Sequence, residues 1–197
     1  MQPTISKTTP LVLASSSKYR VALLQRLGVP FIAQAPELDE TPTTAETPAN
    51  LAQRLAIEKA KTLQDLYPDR WVLGSDQVPS LDGKILRKPG TRARAIEQLE
   101  AFSGKSVIFY TAVALLGGNR ALTGLDTTIV RFRPLAREEI ERYVDAEPAF
   151  DCAGSFKVEG LGVTLFNAIE TRDTTALVGL PLIATRALLA QAGFALP

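Results

Sequence analysis

The sequence predicts a single mixed α/β domain. Short apolar runs typical of buried strands alternate with longer helical patterns, as in sheets covered by helices. The chain has 197 residues, a length that fits one domain with a sizeable core. No internal repeat, linker or low-complexity segment divides it. The polar residues 1–10 are expected to form a flexible N-terminus.

The first half of the chain predicts three strands and two helices. Residues 11–14 are an apolar run followed by three serines and predict a buried strand. A helical pattern follows and ends at Gly28, and residues 31–35 predict a second strand. Thr-Pro then opens a helix over residues 47–67, with proline in the first turn. The compact apolar run 71–74 predicts a third strand.

The second half predicts a hairpin, two more β segments and three helices. Asp-Gly is the turn expected of the hairpin at residues 81–85. The β-rich stretch 106–116 is followed by a glycine-rich turn and a strand at about 127–132. The predicted helices are 91–102, 136–146 and 181–192.

Composition excludes several kinds of enzyme. The chain contains no histidine, so it has no imidazole general base and no Ser-His-Asp or Cys-His catalytic pair. With Cys152 as its single cysteine it can form no internal disulfide and no ordinary zinc site. A net charge of +1 gives no overall attraction to nucleic acid. Chemistry must therefore depend on carboxylates, lysine, arginine, hydroxyls and an oxygen-bound metal ion.

Two segments that follow predicted strands are candidates for a site. Three serines lead from the first strand into a helix, where free N–H groups and Arg20 could bind an anion. The alternative is an ordinary serine cap beside a surface arginine. Asp76 follows the third strand, where ligands of α/β proteins usually bind. It is a candidate metal ligand or general base, or else a residue that caps the next turn.

Other charged residues are weaker candidates by themselves. An acidic segment after the second strand is either solvated or turns one carboxylate into a site, and helical lysines are usually surface charges. The acids are Glu37, Asp39 and Glu40, and the lysines are Lys59 and Lys88.

Together these residues indicate one kind of chemistry. Several cations, an acid after a strand and a second acid suit the handling of a polyphosphate with a divalent metal. A small, glycine-rich segment at residues 152–160 adds Glu159, placed in a loop where the backbone can approach a ligand closely.

Six separated blocks of the sequence resemble the Maf family of nucleotide pyrophosphatases, in the same order and from about Leu11 to Leu189. The blocks are LASSSKYRVALLQRLG, PELDET, RLAIEKA, GSDQV with LDGKI and KP, FYTAVAL, and CAGSFKVEGLG with TLF and LVGLPL. The sequence is most similar to the branch of that family that hydrolyses 7-methyl-GTP. The resemblance implies an elongated, twisted mixed sheet flanked by helices, of the Maf/ITPase-like type. It also implies hydrolysis of a nucleoside triphosphate between its α and β phosphates.

The resemblance also implies roles for particular residues. Asp76 matches the family's catalytic proton acceptor, and Asp39 and Glu40 match its acidic pair. The positions associated with the polar, phosphate-binding pocket are Ser15, Arg20, Lys59 and Lys88. The positions that separate the branches by base preference are Tyr19, Gln77 and Glu159.

Two departures from the family pattern affect base recognition more than hydrolysis. Many members have Ser-Pro-Arg-Arg where this chain has Ser-Lys-Tyr-Arg, ending at Arg20. An aromatic residue at position 19 fits the methylguanine branch. Proline at position 79 lacks a backbone donor and is expected to alter the segment after Asp76. Two alternatives therefore stay open: a pyrophosphatase for dTTP, UTP or another modified nucleotide, and a non-catalytic nucleotide-binding regulator of cell division.

The expected cofactor is Mg²⁺ or Mn²⁺, with Asp76, Glu40 and Asp39 as candidate ligands. The expected partners are the nucleoside triphosphate and a second copy of the chain in a homodimer, without a nucleic-acid polymer or a membrane. The N-terminus lacks the apolar segment of a secretory signal and no apolar run reaches the length of a membrane span. These features predict a cytoplasmic protein.

Overall fold

The computed structural model describes residues 3–196, which form one mixed sheet of seven strands with five helices. The strands are β1 Leu11–Ala14, β2 Phe31–Gln34, β3 Val72–Leu81, β4 Lys84–Ile85, β5 Ser106–Gly117, β6 Arg120–Phe132 and β7 Phe166–Glu170. The helices are α1 Lys18–Gln25, α2 Pro48–Gln64, α3 Arg92–Phe102, α4 Arg137–Ala146 and α5 Leu182–Gln191, with a 3₁₀ helix at Leu161–Leu165. The predicted mixed sheet with flanking helices is confirmed.

The sheet has the strand order β2-β1-β3-β5-β6-β7, and β4 pairs with the far end of β3. β2 and β3 both run parallel to β1, whereas β5, β6 and β7 continue the sheet in antiparallel steps. Three of the helices begin where a hydroxyl side chain accepts a backbone N–H, and serine and threonine are favoured at this N-cap position. These caps are Ser17, Thr47 and Thr91.

Three β predictions needed correction. β6 begins at Arg120 and not near residue 127, because its first half pairs with β5 through the register Gly117↔Arg120 to Thr111↔Asp126. The polar and glycine residues in that half break the apolar pattern by which a strand is usually identified. The strand β7 was not predicted at all, since it is an exposed edge strand whose pattern is weak.

The third correction concerns Asp76, which lies within β3 and not after it. The strand continues through Pro79 to Leu81, so the proline makes no new loop. β1, however, pairs with β3 only as far as Ala14↔Gly74. Beyond Gly74, β3 has β5 on one side and no β1 on the other. On that side β4 pairs with β3 from Ser80 onward, and the carbonyl of Pro79 accepts the N–H of Leu86. The gap between the β1 and β4 pairings leaves space beside Asp76.

Apolar side chains cover both faces of the central strands, because successive residues of a strand point to opposite faces. On one face α2 packs against Val12, Val72 and Ala114. On the other, α1 and α5 pack against Leu13 and Leu73. A third cluster lies beneath α3 and α4 and includes several aromatic rings in tilted or edge-to-face contact: Phe102, Phe109, Phe132, Phe156 and Phe166.

The N-terminal residues that the structure describes contact the core. The Trp71 indole N–H donates to the carbonyl of Pro3 at 2.7 Å, and Ile5 packs against the α1–α5 face. The predicted flexible segment also includes residues 1 and 2, which lie outside the described residues. No helix within residues 3–196 is both long and apolar enough to cross a membrane.

Gly74 sets the distance between α2 and β3. A Cβ at this position would overlap the carbonyl oxygen of Ala56 and lie 2.8 Å from the amide nitrogen of Ala60. The absence of a side chain therefore lets the helix backbone lie directly on the strand, and Lys59, in the same turn of α2, reaches Asp76.

We expect Gly74→Ala to destabilise the protein by about 1–3 kcal/mol, because the added methyl group must push α2 off the sheet. Urea denaturation measures the change. Gly124→Ala is the matched control in another strand, where the new Cβ would lie 3.3 Å from two apolar carbons. Equal losses of stability in both variants would contradict the close-approach argument.

Candidate active site

The gap beside β3 opens into a cleft of about 850 Å³. It is bounded by the end of β1, α1, the loop before α2, β3, the segment after β4 and the loop after α4. All ten site residues predicted from the sequence line this cleft: Ser15, Tyr19, Arg20, Asp39, Glu40, Lys59, Asp76, Gln77, Lys88 and Glu159.

Lys59 joins the two acids nearest the centre of the cleft. Its ammonium lies 2.5 Å from Asp76 Oδ1 and 2.7 Å from Glu40 Oε1. The Lys59 side chain is only 7% exposed and that of Asp76 is 11% exposed, whereas the Glu40 side chain is 56% exposed. Lysine and aspartate are rarely buried unless they are paired, and buried charged pairs in a cleft are common at functional sites.

The position of Lys59 on α2 was visible in the sequence. Leu51, Leu55, Lys59 and Leu63 recur every four residues and so share one face of the helix. Lys59 is the charged member of that buried stripe. The pattern indicates an inward-facing lysine, which the general rule that helical lysines are surface charges does not predict.

Arg20 lies on the other side of Asp76. Its Nε donates to the carbonyl of Gly179 at 2.8 Å, and one terminal nitrogen lies 3.9 Å from Asp76 Oδ1. Burial lowers the pKa of Arg20, opposed by the charges of Asp76 and Glu40, but an arginine stays protonated at any physiological pH. The site thus has a fixed guanidinium beside the buried carboxylate.

The two acids of the loop before α2 have different surroundings. Burial by itself would raise the pKa of Glu40, but the hydrogen bond and charge of Lys59 outweigh it and lower that pKa. The Asp39 carboxylate accepts the backbone N–H of Thr41 at 2.9 Å. Hydrogen bonds from Thr41 lower the pKa of Asp39. Glu40 is therefore the member of the pair that contacts Lys59.

Arg54 holds this loop against α2. Its guanidinium donates to both carboxylate oxygens of Glu46 and to the carbonyl of Thr41. The hydrogen bond from Arg54 lowers the pKa of Glu46 to about 2. This anchor, which sequence reasoning missed, keeps Glu40 within reach of Lys59.

Ser15 and Lys88 both line the cleft but differ in exposure. Ser15 is buried, and its hydroxyl accepts the N–H of Ser17 at 3.1 Å, so it shapes the turn into α1. The first N–H groups of α1 have no acceptor within the helix, and the N-terminal end of a helix carries a partial positive charge that favours anions. Lys88 is exposed, and its charge contributes to the lowered pKa of Glu40.

Tyr19 lines the cleft beside the loop after α4. Its hydroxyl lies 3.9 Å from Cys152 Sγ, and the Lys18 ammonium lies 5.2 Å from the ring centroid. Burial raises the pKa of Tyr19, with further contributions from Cys152, Asp151 and Glu159. Burial also raises the pKa of the Cys152 thiol to about 11, so this cysteine is protonated at neutral pH. Glu159 is exposed and lies close enough to the Tyr19 hydroxyl for its charge to raise that pKa.

Gln77 is placed differently from the other predicted specificity residues. Its side-chain amide donates to the carbonyls of Ala176 and Leu177 at 2.9 and 3.0 Å, and lies 3.2 Å from Thr111 Oγ1. Adjacent residues of β3 alternate between faces, so Gln77 and Asp76 point to opposite sides of the sheet.

Oxygen ligands for a hard cation are present at the centre of the cleft. Residues 3–196 contain no group of three or more histidine, cysteine, aspartate or glutamate side chains that could hold a metal ion. Magnesium, however, often uses one or two carboxylates together with water and substrate phosphates. The carboxylates of Asp76 and Glu40, which both contact the Lys59 ammonium, fit that donor set.

Known proteins resemble this chain over nearly its full length. Residues 10–192 match the family described as "Maf-like protein". A protein of Xanthomonas axonopodis pv. citri named 7-methyl-GTP pyrophosphatase is 58% identical over 187 residues, covering 95% of this chain and 98% of its own. A protein of the same name from Hahella chejuensis is 49% identical, covering 95% and 96%.

Among solved structures, the Ham1 protein of Staphylococcus aureus aligns with 62% of this chain and 71% of its own, with a TM-score of 0.44 and 16% identity. The family match and the two relatives agree with the six sequence blocks and with the residues that line the cleft. The chain therefore belongs to the Maf family.

Proposed function

We propose that this protein hydrolyses 7-methyl-GTP to 7-methyl-GMP and diphosphate. The observation that carries the proposal is the arrangement of Asp76 between Lys59 and Arg20 within a cleft large enough for a nucleotide. The names of the Xanthomonas and Hahella relatives support the choice of substrate.

In the proposed reaction a water oxygen attacks the α-phosphorus while the bond from that phosphorus to the α,β-bridging oxygen breaks. Asp76 accepts the proton of the attacking water, which is the role of a general base. Diphosphate takes the electron pair of the broken bond and leaves. Phosphoryl transfer needs charge compensation and in-line positioning more than covalent help.

The cations supply that compensation. Lys59 and Arg20 lie against Asp76, and Lys88 lies close enough to influence Glu40. We propose that these three side chains and the N-terminus of α1 bind the triphosphate and the departing diphosphate. The fixed donors need no rearrangement as negative charge develops, which is the basis of electrostatic stabilisation.

We further propose that Asp76 and Glu40 hold a divalent cation, Mg²⁺ or Mn²⁺, together with the phosphates. When bound, such an ion would polarise phosphate oxygens and lower the pKa of bound water. Asp39 is a weaker candidate ligand, because its carboxylate accepts the N–H of Thr41.

Tyr19 and Glu159 are the proposed base-recognition residues. Methylation at N7 gives guanine a positive charge, and stacking on the Tyr19 ring would add a cation–π contribution of about 0.5–2 kcal/mol. Glu159 could accept hydrogen bonds from the N1–H and N2–H₂ edge of guanine. A pyrimidine lacks that pair of donors and would leave the carboxylate without partners.

Homodimer formation and a cytoplasmic location remain predictions of the sequence. Size-exclusion chromatography with light scattering tests the first, and cell fractionation tests the second.

The substrate proposal is tested by measuring diphosphate release from 7-methyl-GTP, GTP, dTTP and UTP with Mg²⁺, Mn²⁺ or EDTA. We expect 7-methyl-GTP to be preferred and EDTA to abolish release. Tyr19→Leu should reduce the preference for 7-methyl-GTP over GTP by about 2–30-fold, since it removes the ring face.

Tyr19→Phe is the matched control, because it keeps the ring and should keep the preference. Release from dTTP but not from 7-methyl-GTP would contradict the assigned base. A wild-type protein that binds nucleotides and releases diphosphate from none of them would instead be the binding regulator.

A further inference from the structure

A short segment between β7 and α5 presents its backbone carbonyls to the sheet. We refer to residues 176–179 as the carbonyl segment. The carbonyl of Ala176 accepts from Thr111 Oγ1 at 3.0 Å and from Gln77 Nε2 at 2.9 Å. The carbonyl of Leu177 accepts from Gln77 Nε2 at 3.0 Å. Two side chains of the sheet therefore hold the first half of the segment.

The last carbonyl of the segment belongs to Gly179 and holds Arg20. It accepts Arg20 Nε at 2.8 Å and lies 3.2 Å from Ser75 Oγ. Gly179 has φ +126, a conformation that side chains rarely adopt. The backbone geometry that directs this carbonyl at Arg20 is thus available mainly to glycine.

The segment is also fixed at both ends. Asp173 Oδ1 accepts the N–H of Thr175 at 2.9 Å, and its Oδ2 accepts the N–H of Ile183 at 2.6 Å. The Thr175 hydroxyl lies 2.9 Å from the Leu180 carbonyl and accepts the N–H of Leu182 at 2.9 Å. Because the ends are tied to α5, a shift of the carbonyl segment must occur between them, where Gln77 and Thr111 act.

We propose that Gln77 and Thr111 are positioning residues for Arg20. By holding the carbonyl segment they place the Gly179 carbonyl, and that carbonyl orients the guanidinium so that its terminal nitrogens face the phosphates. The inference rests on the proposed function for the role of Arg20. It assigns Gln77 an effect on every nucleoside triphosphate, in place of the effect on base choice that the family resemblance implies.

The hydrogen-bonding capacity of Gln77 supports this assignment. A primary amide has two N–H donors, and two backbone carbonyls already accept from Nε2. Those acceptors also fix which end of the amide is nitrogen. We refer to the hydrogen bonds from Gln77 and Thr111 to the carbonyl segment as the clamp. A nucleotide base could contact only the side-chain oxygen of Gln77 without breaking the clamp.

Thr111 makes the inference testable, because it contributes to the clamp from outside the cleft. It is fully buried on β5 and does not line the cleft. The test compares Gln77→Met, Thr111→Val and the double variant, with Thr111→Ser as the control that keeps the hydroxyl. Three quantities are measured: kcat/KM for 7-methyl-GTP and for GTP, affinity for inorganic diphosphate, and hydrogen exchange of the amides in residues 175–180.

We expect each single variant to lower kcat/KM for both nucleotides by the same factor, about 3–10-fold. The ratio between the nucleotides should stay constant, diphosphate should bind more weakly, and exchange in residues 175–180 should accelerate. The double variant should lose more than the product of the single losses, because the Ala176 carbonyl then loses both side-chain donors and keeps only the Gly179 N–H, so nothing from the sheet holds it. Thr111→Ser should resemble the wild type.

A changed nucleotide ratio in Gln77→Met with no effect of Thr111→Val would overturn the inference and assign Gln77 to the base. Unchanged exchange in both variants would overturn it as well. A wild-type protein without turnover would mean that the proposed function is wrong. Hydrogen exchange and diphosphate affinity would still test whether Gln77 and Thr111 position Arg20. If Gln77→Met does not fold, Thr111→Val decides, since it substitutes a side chain of the same shape.

Discussion

Replacing Asp76 by asparagine is expected to lower kcat by about 10²–10⁴-fold while nucleotide binding persists. Asparagine keeps the shape of the side chain but cannot accept a proton from the attacking water. It also removes a negative charge from a site that must bind a polyphosphate, so affinity measured without a divalent cation should be equal or higher. Diphosphate release measures the first effect and isothermal titration with a non-hydrolysable analogue measures the second.

Asp145→Asn is the matched control for this substitution. Asp145 lies on α4, pairs with Arg92 on the surface and does not line the cleft, so its loss should leave turnover unchanged. Wild-type activity in Asp76→Asn would mean that another group accepts the proton. Loss of both binding and folding would indicate that Asp76 is needed for structure, and the general-base assignment would fail.

Replacing Lys59 by methionine is expected to reduce both stability and turnover. The substitution removes the ammonium that lies against Asp76 and Glu40 and leaves a buried carboxylate beside a second one. Breaking a buried pair by removing one partner costs about 3 kcal/mol or more. Turnover should fall at least about 100-fold, because the phosphates lose a fixed cation.

The loss of stability should depend on pH with a definite sign. In the wild type the pKa of Glu40 is lowered, since burial is outweighed by the hydrogen bond and charge of Lys59. A lowered pKa contributes stability above the ordinary value for glutamate, and this contribution is lost as the pH falls through the folded-state pKa. The difference between wild type and Lys59→Met should therefore be largest near neutral pH and shrink in acid.

Urea denaturation at pH 7 and at a series of pH values from about 4 downward, below the ordinary pKa of a glutamate, measures this difference. Lys61→Met is the control, because Lys61 is an exposed lysine on the same helix. A pH-independent loss of stability in Lys59→Met would show that methionine disturbs packing and that the charge of Lys59 does not stabilise the two acids.

Much of the site could be predicted from the sequence, because the motifs are local. Ser15 and Arg20 belong to one strand–turn–helix unit, and a serine cap with an arginine in the first turn has the same geometry wherever it occurs. Asp76 was found as an acid next to an apolar run, although the limit of that strand was wrong. The length of β3 depends on its pairing with β5, which is remote in sequence.

Contacts between remote segments could not be predicted in the same way. The sequence left open which of Asp39 and Glu40 faces the site, since extended neighbours point to opposite sides. The anchoring of the loop by Arg54 decides for Glu40. Gln77 was assigned to the base by resemblance, and its position beneath the carbonyl segment joins residues about a hundred positions apart.

The sequence by itself determined the α/β class, the chemistry available without histidine, and the family. These properties depend on composition and on patterns within a few residues of one another. Only the tertiary structure decided where β1 ends beside Gly74, how closely α2 approaches β3, and what holds Arg20. Those features are set by pairing and packing between segments that are distant in sequence. A pattern within a few residues carries no information about the energies of such contacts.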